Sequence, residues 1–213
     1  MKFDSANKAF VSLYKKISEE GIDQQDTKCI LNTGFYLTNP KKRSITEKWR
    51  NWSGKYAEYE WQWYLSANPN AELIAEKAKI WKSCMDKNGE VNSNYGYHWQ
   101  QSNQLDYIVE ELKNNPESRR ASISIYDAKN RYNFENDTPC TYAINFSILN
   151  NKLNMSVLMR SNDLWFGFCN DQYCFSKLQD EIGKRLKLNL GYYYHFSQNL
   201  HIYNKFLNKN EQI

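Results

Sequence analysis

Residues 139–163, PCTYAINFSILNNKLNMSVLMRSND, decide the architecture. Thr141 to Leu149 and Leu153 to Arg160 are two runs rich in β-branched, aliphatic and aromatic residues, as a pleated and half-buried strand requires. Between them Asn150-Asn151-Lys152 has the composition of a tight turn, so the stretch reads as an antiparallel hairpin. Upstream, Ala121 to Tyr126 alternates small or polar residues with isoleucine, and the core sheet is expected to begin there.

Downstream of the hairpin, Phe175, Leu178, Ile182 and Leu186 form a helical stripe expected to end near Gly191. Tyr192 to Ser197 and Leu200 to Tyr203 follow as two short aromatic strands. At the other end of the chain, Phe10, Leu13, Tyr14 and Ile17 recur at helical spacing between an N-cap at Asp4 or Ser5 and a stop at Gly21. Lys28 to Leu37 reads as a strand. Thr46 to about Ser66 and Ala71 to Trp81 read as two further helices, Gly89 and the Asn-rich residues after it as a loop, and Leu105 to Leu112 as a helix ending before Asn115-Pro116. Helices early and strands late give an α+β class, and 213 residues fit one domain spanning residues 1–213.

The charge balance narrows the partners. With 28 basic and 24 acidic side chains the net charge is only +4, and the cations are scattered, so duplex nucleic acid is not the expected partner while a small anion is. The five cysteines, Cys29, Cys84, Cys140, Cys169 and Cys174, are odd in number and contain no CxxC pair. That argues against a disulfide framework or a zinc site and for a reducing cytoplasm. No apolar run in the first 21 residues suits a signal sequence or a membrane span.

Four polar clusters fall at the ends of strand-like runs: Cys140 behind Pro139, Ser118-Arg119-Arg120, Arg160-Ser161-Asn162-Asp163, and His201-Ile202-Tyr203. A sheet can bring such ends around one pocket. Most buried cysteines are inert packing residues, and Cys140 taken alone reads first as one of them, although the proline before it would also hold a nucleophile rigidly. Arginine forks suit phosphate, because each offers two parallel charge-assisted hydrogen bonds. Arg119 and Arg120, however, would point to opposite faces of a strand, so one of them needs a loop or a separate partner.

Taken in order, Tyr95-Gly96 followed by Trp99, Ser118-Arg119-Arg120, Pro139-Cys140, Arg160-Ser161-Asn162-Asp163 followed by Gly167, and His201-Ile202-Tyr203 resemble the thymidylate synthase superfamily. The resemblance covers roughly Lys55 to Tyr203. Residues 89–96 and the stretch from Met159 to Asp171 look closer to one branch of it, the phage deoxycytidylate hydroxymethylases. The informative position is Asp171, where thymidylate synthases carry asparagine. An asparagine amide matches the O4 acceptor and N3 proton of uracil, whereas an acceptor-only carboxylate matches the N4 amino group of cytosine. From the residue alone, Asp171 is also explained as a solvated carboxylate in the first turn of a helix.

The resemblance implies a mixed or antiparallel sheet packed with helices and dimerising through the sheet. It implies 5,10-methylenetetrahydrofolate as co-substrate, no metal, and transfer of a one-carbon unit to C5 of deoxycytidylate with addition of water. Alternatives are the same reaction on cytidylate, a thymidylate synthase or deoxyuridylate hydroxymethylase, and a nucleotide-binding homologue without turnover. In the implied site Cys140 attacks C6 of the base, Glu60 activates water, Tyr95 helps move the C5 proton, and Asp171 selects and polarises the base. Arg160 and Ser161 hold the phosphate together with Arg119 and Arg120 from a second subunit, His201 and Tyr203 bind the sugar, and Asp163 and Trp81 contact the folate. The Gly- and Thr-rich loop with a phosphate-binding arginine that the family carries near the N-terminus is not recognisable around Lys28 to Pro40, which leaves Lys41, Lys42 or Arg43 as substitutes. The family's longer C-terminal region is likewise not seen after Tyr203, so looser closure over the ligands is expected. Cys169 stands where the family commonly has proline.

Overall fold

The structure is a computed structural model that describes residues 1–127 and 136–209. Strand β1 (Lys2–Phe3) leads into helix α1 (Ala6–Glu20), whose start is fixed by the Ser5 hydroxyl accepting from the Lys8 amide. The helix stops where the Gly21 amide donates to the Ile17 carbonyl, and it buries Phe10, Leu13, Tyr14 and Ile17. Strands β2 (Ile22–Gln24) and β3 (Thr27–Leu37) follow.

The helix expected from Thr46 to Ser66 is broken. Residues 48–50 form one 3-10 turn, Asn51 adopts a left-handed conformation with φ 48°, and α2 (Gly54–Leu65) starts afresh on a Ser53 cap that accepts from the Tyr56 amide. A capping serine and a left-handed asparagine outweigh the helical spacing of the tryptophans. The helix expected over Ala71–Trp81 is likewise two short pieces, α3 (Glu72–Ala75) and α4 (Ile80–Cys84). Helices α5 (Tyr95–Gln100) and α6 (Gln104–Asn114) precede the short strand β4 (Ser122–Ser124).

The hairpin forms as read: β5 (Thr141–Leu149) and β6 (Lys152–Met159) pair antiparallel around Asn150 and Asn151, both at positive φ (50° and 56°). Two successive left-handed residues give the twist that a two-residue hairpin needs, and asparagine tolerates that conformation. The two-residue strand β7 (Asn162–Asp163) leads to α7 (Gly167–Leu186), which ends at Lys187 rather than near Gly191. Gly191 instead lies inside β8 (Asn189–Tyr203), where a Cβ would sit 2.0 Å from the Asn154 side-chain oxygen. The two short C-terminal strands expected are therefore one, held continuous by β3 along its whole length.

The sheet order is β1-β3-β8-β6-β5-β4, with β2 attached to β3 and β7 to β8. The pairs β3–β8, β5–β6 and β4–β5 are antiparallel and β6–β8 is parallel, so the sheet is mixed and the class is α+β. An early strand, β3, thus sits beside the last one, and helices and strands are less segregated than the sequence suggests. Helices α1, α6 and α7 pack against the sheet around Phe10, Phe35, Phe146, Phe175 and Tyr193, all fully buried. On alternate positions Tyr36, Leu158, Tyr194 and Phe196 stay partly exposed. No helix among the described residues is long and apolar enough to cross a membrane.

Candidate active site

Cys140 immediately precedes β5, and Arg160 immediately follows β6, so the hairpin register places them side by side. The Arg160 amide donates to the Cys140 carbonyl (2.8 Å). The Arg160 side chain donates to the carbonyls of Pro139 (3.0 Å) and Thr138 (2.8 Å), and its Nη2 lies 3.7 Å from the Cys140 sulfur. On the other side, the Tyr95 hydroxyl accepts from the amides of Cys140 (3.2 Å) and Thr141 (3.3 Å). Burial pushes the Cys140 thiol up to about 11, with the Arg160 guanidinium pulling the other way. The resting side chain is a neutral thiol at neutral pH.

Helix α2 supplies one wall. Tyr56, Glu60 and Tyr64 are four residues apart and share a face. The Tyr64 hydroxyl donates to Glu60 Oε1 (2.9 Å), Tyr56 also hydrogen-bonds Glu60, and the Trp81 indole donates to the Tyr56 oxygen (2.9 Å). Glu60 is only 4% exposed, and its carboxyl is raised above the ordinary range chiefly by burial.

Helix α7 supplies the other wall. It begins at Gly167, ahead of Asp171, so Asp171 lies in the second turn and is buried, not a solvated first-turn carboxylate. Its Oδ2 accepts from Asn162 Nδ2 (2.8 Å). Burial, then the nearby Glu60 charge, holds its carboxyl well above the usual range, while the Asn162 bond opposes that. Gly167 makes the pair sterically feasible, since a Cβ there would lie 2.9 Å from Asn162 Nδ2 and 3.3 Å from Asp171 Oδ2.

Glu60, Trp81, Tyr95, Cys140, Asn162 and Asp171 thus line one cleft of about 260 Å³. A second hollow of about 610 Å³ shares Tyr56, Ile80, Phe166 and Asn170 with it and adds Asp163 and Tyr203. The Asp163 carboxylate accepts from the amides of Trp165 (2.9 Å) and Phe166 (3.3 Å), and burial raises it against the pull of His201 and Arg50. His201 stands opposite Asp163 in the β7–β8 pairing, with its Nδ1 3.1 Å from the Asn199 side-chain oxygen. Ser161, half-buried, links Arg160 to β7.

Arg119 and Arg120 do not join this cluster within one chain. Both are exposed, and β4 pairs Ser122 with Asn145, five residues along β5 from Cys140, a separation of about 15–20 Å. Lys41 and Arg43 lie near Asp180, and Lys42 pairs with Asp4, so none of these three faces the cleft as a replacement phosphate ligand. Several site residues carried no role in the sequence reading. Tyr56 and Tyr64, four residues either side of Glu60, are among them, and their i, i+4 spacing is the signal that could have found them. Arg50, which donates to the Trp165 carbonyl (2.7 Å) and lies over the Trp165 ring, and the residues behind Asn162 had no local signal. Among the described residues no group of three or more His, Cys, Asp or Glu side chains gathers for a metal ion.

A thymidylate synthase profile matches residues 8–213, a span that includes every residue of this cleft, and the chain belongs to that family. Its relatives include the deoxycytidylate 5-hydroxymethyltransferase of Enterobacteria phage T4, 38% identical over 141 residues, or 60% of this chain and 57% of that protein. The thymidylate synthase of Bacillus mojavensis is 25% identical over 93% of this chain and 80% of its own length, and a putative thymidylate synthase of Methanocaldococcus jannaschii is 28% identical over 95% and 90%. The match to the phage enzyme thus spans little more than half of its length.

Proposed function

We propose that this protein transfers a one-carbon unit to C5 of deoxycytidylate and adds water, giving 5-hydroxymethyl-dCMP. The observation that carries the reading is the buried carboxylate of Asp171, held by Asn162, on the wall of a cleft that also contains Cys140. A carboxylate accepts from the cytosine N4 amino group and, once N3 is protonated, from N3 as well; it offers nothing to the O4 of uracil.

Cys140 adds through sulfur to C6 of the base, and Arg160 favours the thiolate that this requires. Attack at C6 pushes an electron pair toward N3, which takes up a proton, and Asp171 favours that protonated form by accepting from its N–H. The co-substrate 5,10-methylenetetrahydrofolate would supply the one-carbon unit and leave as tetrahydrofolate, so that water can add to the carbon left on C5. The hollow beside the cleft suits its pterin, because Phe166 offers aromatic surface and Asp163 offers acceptors there, with Trp81 on the wall of the adjoining cleft. Tyr95 helps carry off the C5 proton, and Glu60, raised by burial, acts as the base that activates water. Arg160 and Ser161 hold the phosphate, and His201 and Tyr203 the sugar 3′-hydroxyl.

Arg119 and Arg120 complete the phosphate site from a second copy. The partly exposed sheet face of Tyr36, Leu158, Tyr194 and Phe196 supports pairing there, in a single-domain subunit working in the cytoplasm as part of nucleotide synthesis for phage DNA modification.

The test is incubation with 5,10-methylenetetrahydrofolate and separately dCMP, CMP or dUMP, with products read by mass spectrometry. Hydroxymethyl-dCMP is expected. A CMP product would move the enzyme to ribonucleotides, methylated dUMP would make it a thymidylate synthase, and binding without any product would make it a non-catalytic homologue.

A further inference from the structure

Behind Asp171 lies a chain of polar groups that the reaction itself does not use. Asn162 Nδ2 donates to Asp171 (2.8 Å); Asn162 Oδ1 lies 3.1 Å from His195 Nε2; His195 Nδ1 lies 2.7 Å from the Tyr193 hydroxyl. Asn162 is 2% exposed and His195 and Tyr193 are fully buried, so no solvent competes for these bonds. The His195 ring is clamped between Phe35, stacked at 5.2 Å, and Phe168, edge-on at 5.4 Å.

A series of hydrogen bonds can run in one direction only at a time. With Asp171 as acceptor, Asn162 must turn its amide NH2 toward the carboxylate and its carbonyl toward the sheet. His195 must then carry its proton on Nε2, and its bare Nδ1 must accept from Tyr193. Reversing any one member turns the Asn162 carbonyl onto the carboxylate, where two acceptors repel unless Asp171 is protonated and becomes a donor. That proton points at Asn162, so the oxygen left for the base is a neutral acid's carbonyl, a weaker acceptor toward N4 with no charge to hold a protonated N3, which penalises cytosine more than uracil. The charged groups facing Asp171 from elsewhere, Glu60 on α2 and Asp163 on β7, both disfavour its ionised form, which leaves the Asn162 bond as the opposing influence.

We propose that Tyr193 and His195 are positioning residues for nucleotide selection, which hold the Asn162 amide in the orientation that keeps Asp171 an acceptor toward the base. The inference rests on Asp171 contacting the base as read above. A merely structural pair would affect both nucleotides alike.

Two measurements separate the possibilities. In the ligand-free protein, nitrogen NMR of His195 is expected to show the neutral Nε2–H tautomer, with Tyr193→Phe letting the Nδ1–H form appear. An Nδ1–H tautomer in the unmodified protein would overturn the relay whatever the substrate proves to be. In turnover, His195→Phe and Tyr193→Phe are expected to reduce the ratio of kcat/KM for dCMP over dUMP by about tenfold, the scale of one hydrogen bond. His195→Gln, which restores a donor toward Asn162, is expected to recover most of that ratio. Equal losses on both nucleotides, or a ratio untouched by Tyr193→Phe in a folded protein, would refute the positioning role. A wild-type preference for dUMP would sink the substrate reading instead and leave the tautomer result standing.

Discussion

The two ends of the cleft are built by different means. At the base end, Glu60, Asp171, Asn162 and His195 come from α2, α7, β7 and β8 of one chain and are all buried, each carboxylate with its own donors. At the phosphate end Arg160 is exposed, and Arg119 and Arg120 lie far along β5. In the proposed function, recognition of the base is therefore a property of the single chain. On the proposed reading, grip on the phosphate draws on Arg119 and Arg120 of a second chain, and the two ends should respond differently to mutation, to dilution and to pH.

The largest effect is expected at the junction of the two ends. Cys140→Ala should remove turnover altogether, by about 10⁴-fold or more, while nucleotide binding persists. Mixing inactive Cys140→Ala chains with inactive chains carrying Arg119→Ala and Arg120→Ala should bring activity back, because one site in each mixed pair then has an intact cysteine and intact arginines. No recovery on mixing would place those arginines outside the phosphate site. Glu60→Gln follows, with a loss of about 10²–10⁴ in kcat that leaves KM for the nucleotide nearly unchanged.

Next comes a stability effect confined to the base end. Asp171 and Glu60 have folded values above their ordinary 3.8 and 4.5, so their burial costs nothing while both are protonated and opposes folding increasingly as pH rises above that range. Asp171→Asn should accordingly raise Tm by a few degrees at pH 8 while reversing nucleotide preference toward dUMP, and the gain should shrink toward pH 5. Thermal melts at the two pH values check this. A variant less stable at pH 8 than the parent would mean that the carboxylate holds the fold together rather than straining it. Arg160→Ala, at the exposed end, should change Tm between the two pH values less than Asp171→Asn does.

The same contrast explains what the sequence disclosed. The β5–β6 hairpin was legible to the residue because its signals are local: alternation along each strand and two asparagines suited to positive φ. Cys140 and Arg160 were legible with it, since they flank that hairpin. The break at Asn51–Ser53 was hidden because the tryptophans on either side keep a helical spacing across it, and β8 looked like two strands because Ser197-Gln198-Asn199 has turn composition while its continuity comes from β3, more than 160 residues away. Asp171 was picked out by family resemblance, but its burial and its bond to Asn162 depend on α7 starting four residues earlier. His195 carried no signal at all, because its partner Asn162 is set by how β7 and β6 both lie beside β8.

The smallest effect expected is on acid stability, and it isolates that hidden part of the base end. Burial without a compensating charge pushes His195 down from its ordinary 6.5 to about 3, so the folded protein keeps the ring neutral while the unfolded chain takes up a proton below pH 6.5. Stability from this group is complete above pH 6.5 and is lost progressively as pH falls toward 3. This runs opposite to the two carboxylates, whose burial becomes less costly over the same fall. His195→Gln cannot titrate, so the difference in urea midpoint between it and the parent should change in its favour as pH drops from 7 to 5, with a constant offset above 7. An offset that stays constant down to pH 5 would mean that His195 takes up its proton inside the folded protein, donating from Nδ1 to the Tyr193 oxygen and leaving the buried Tyr193 hydroxyl hydrogen to turn away from the ring.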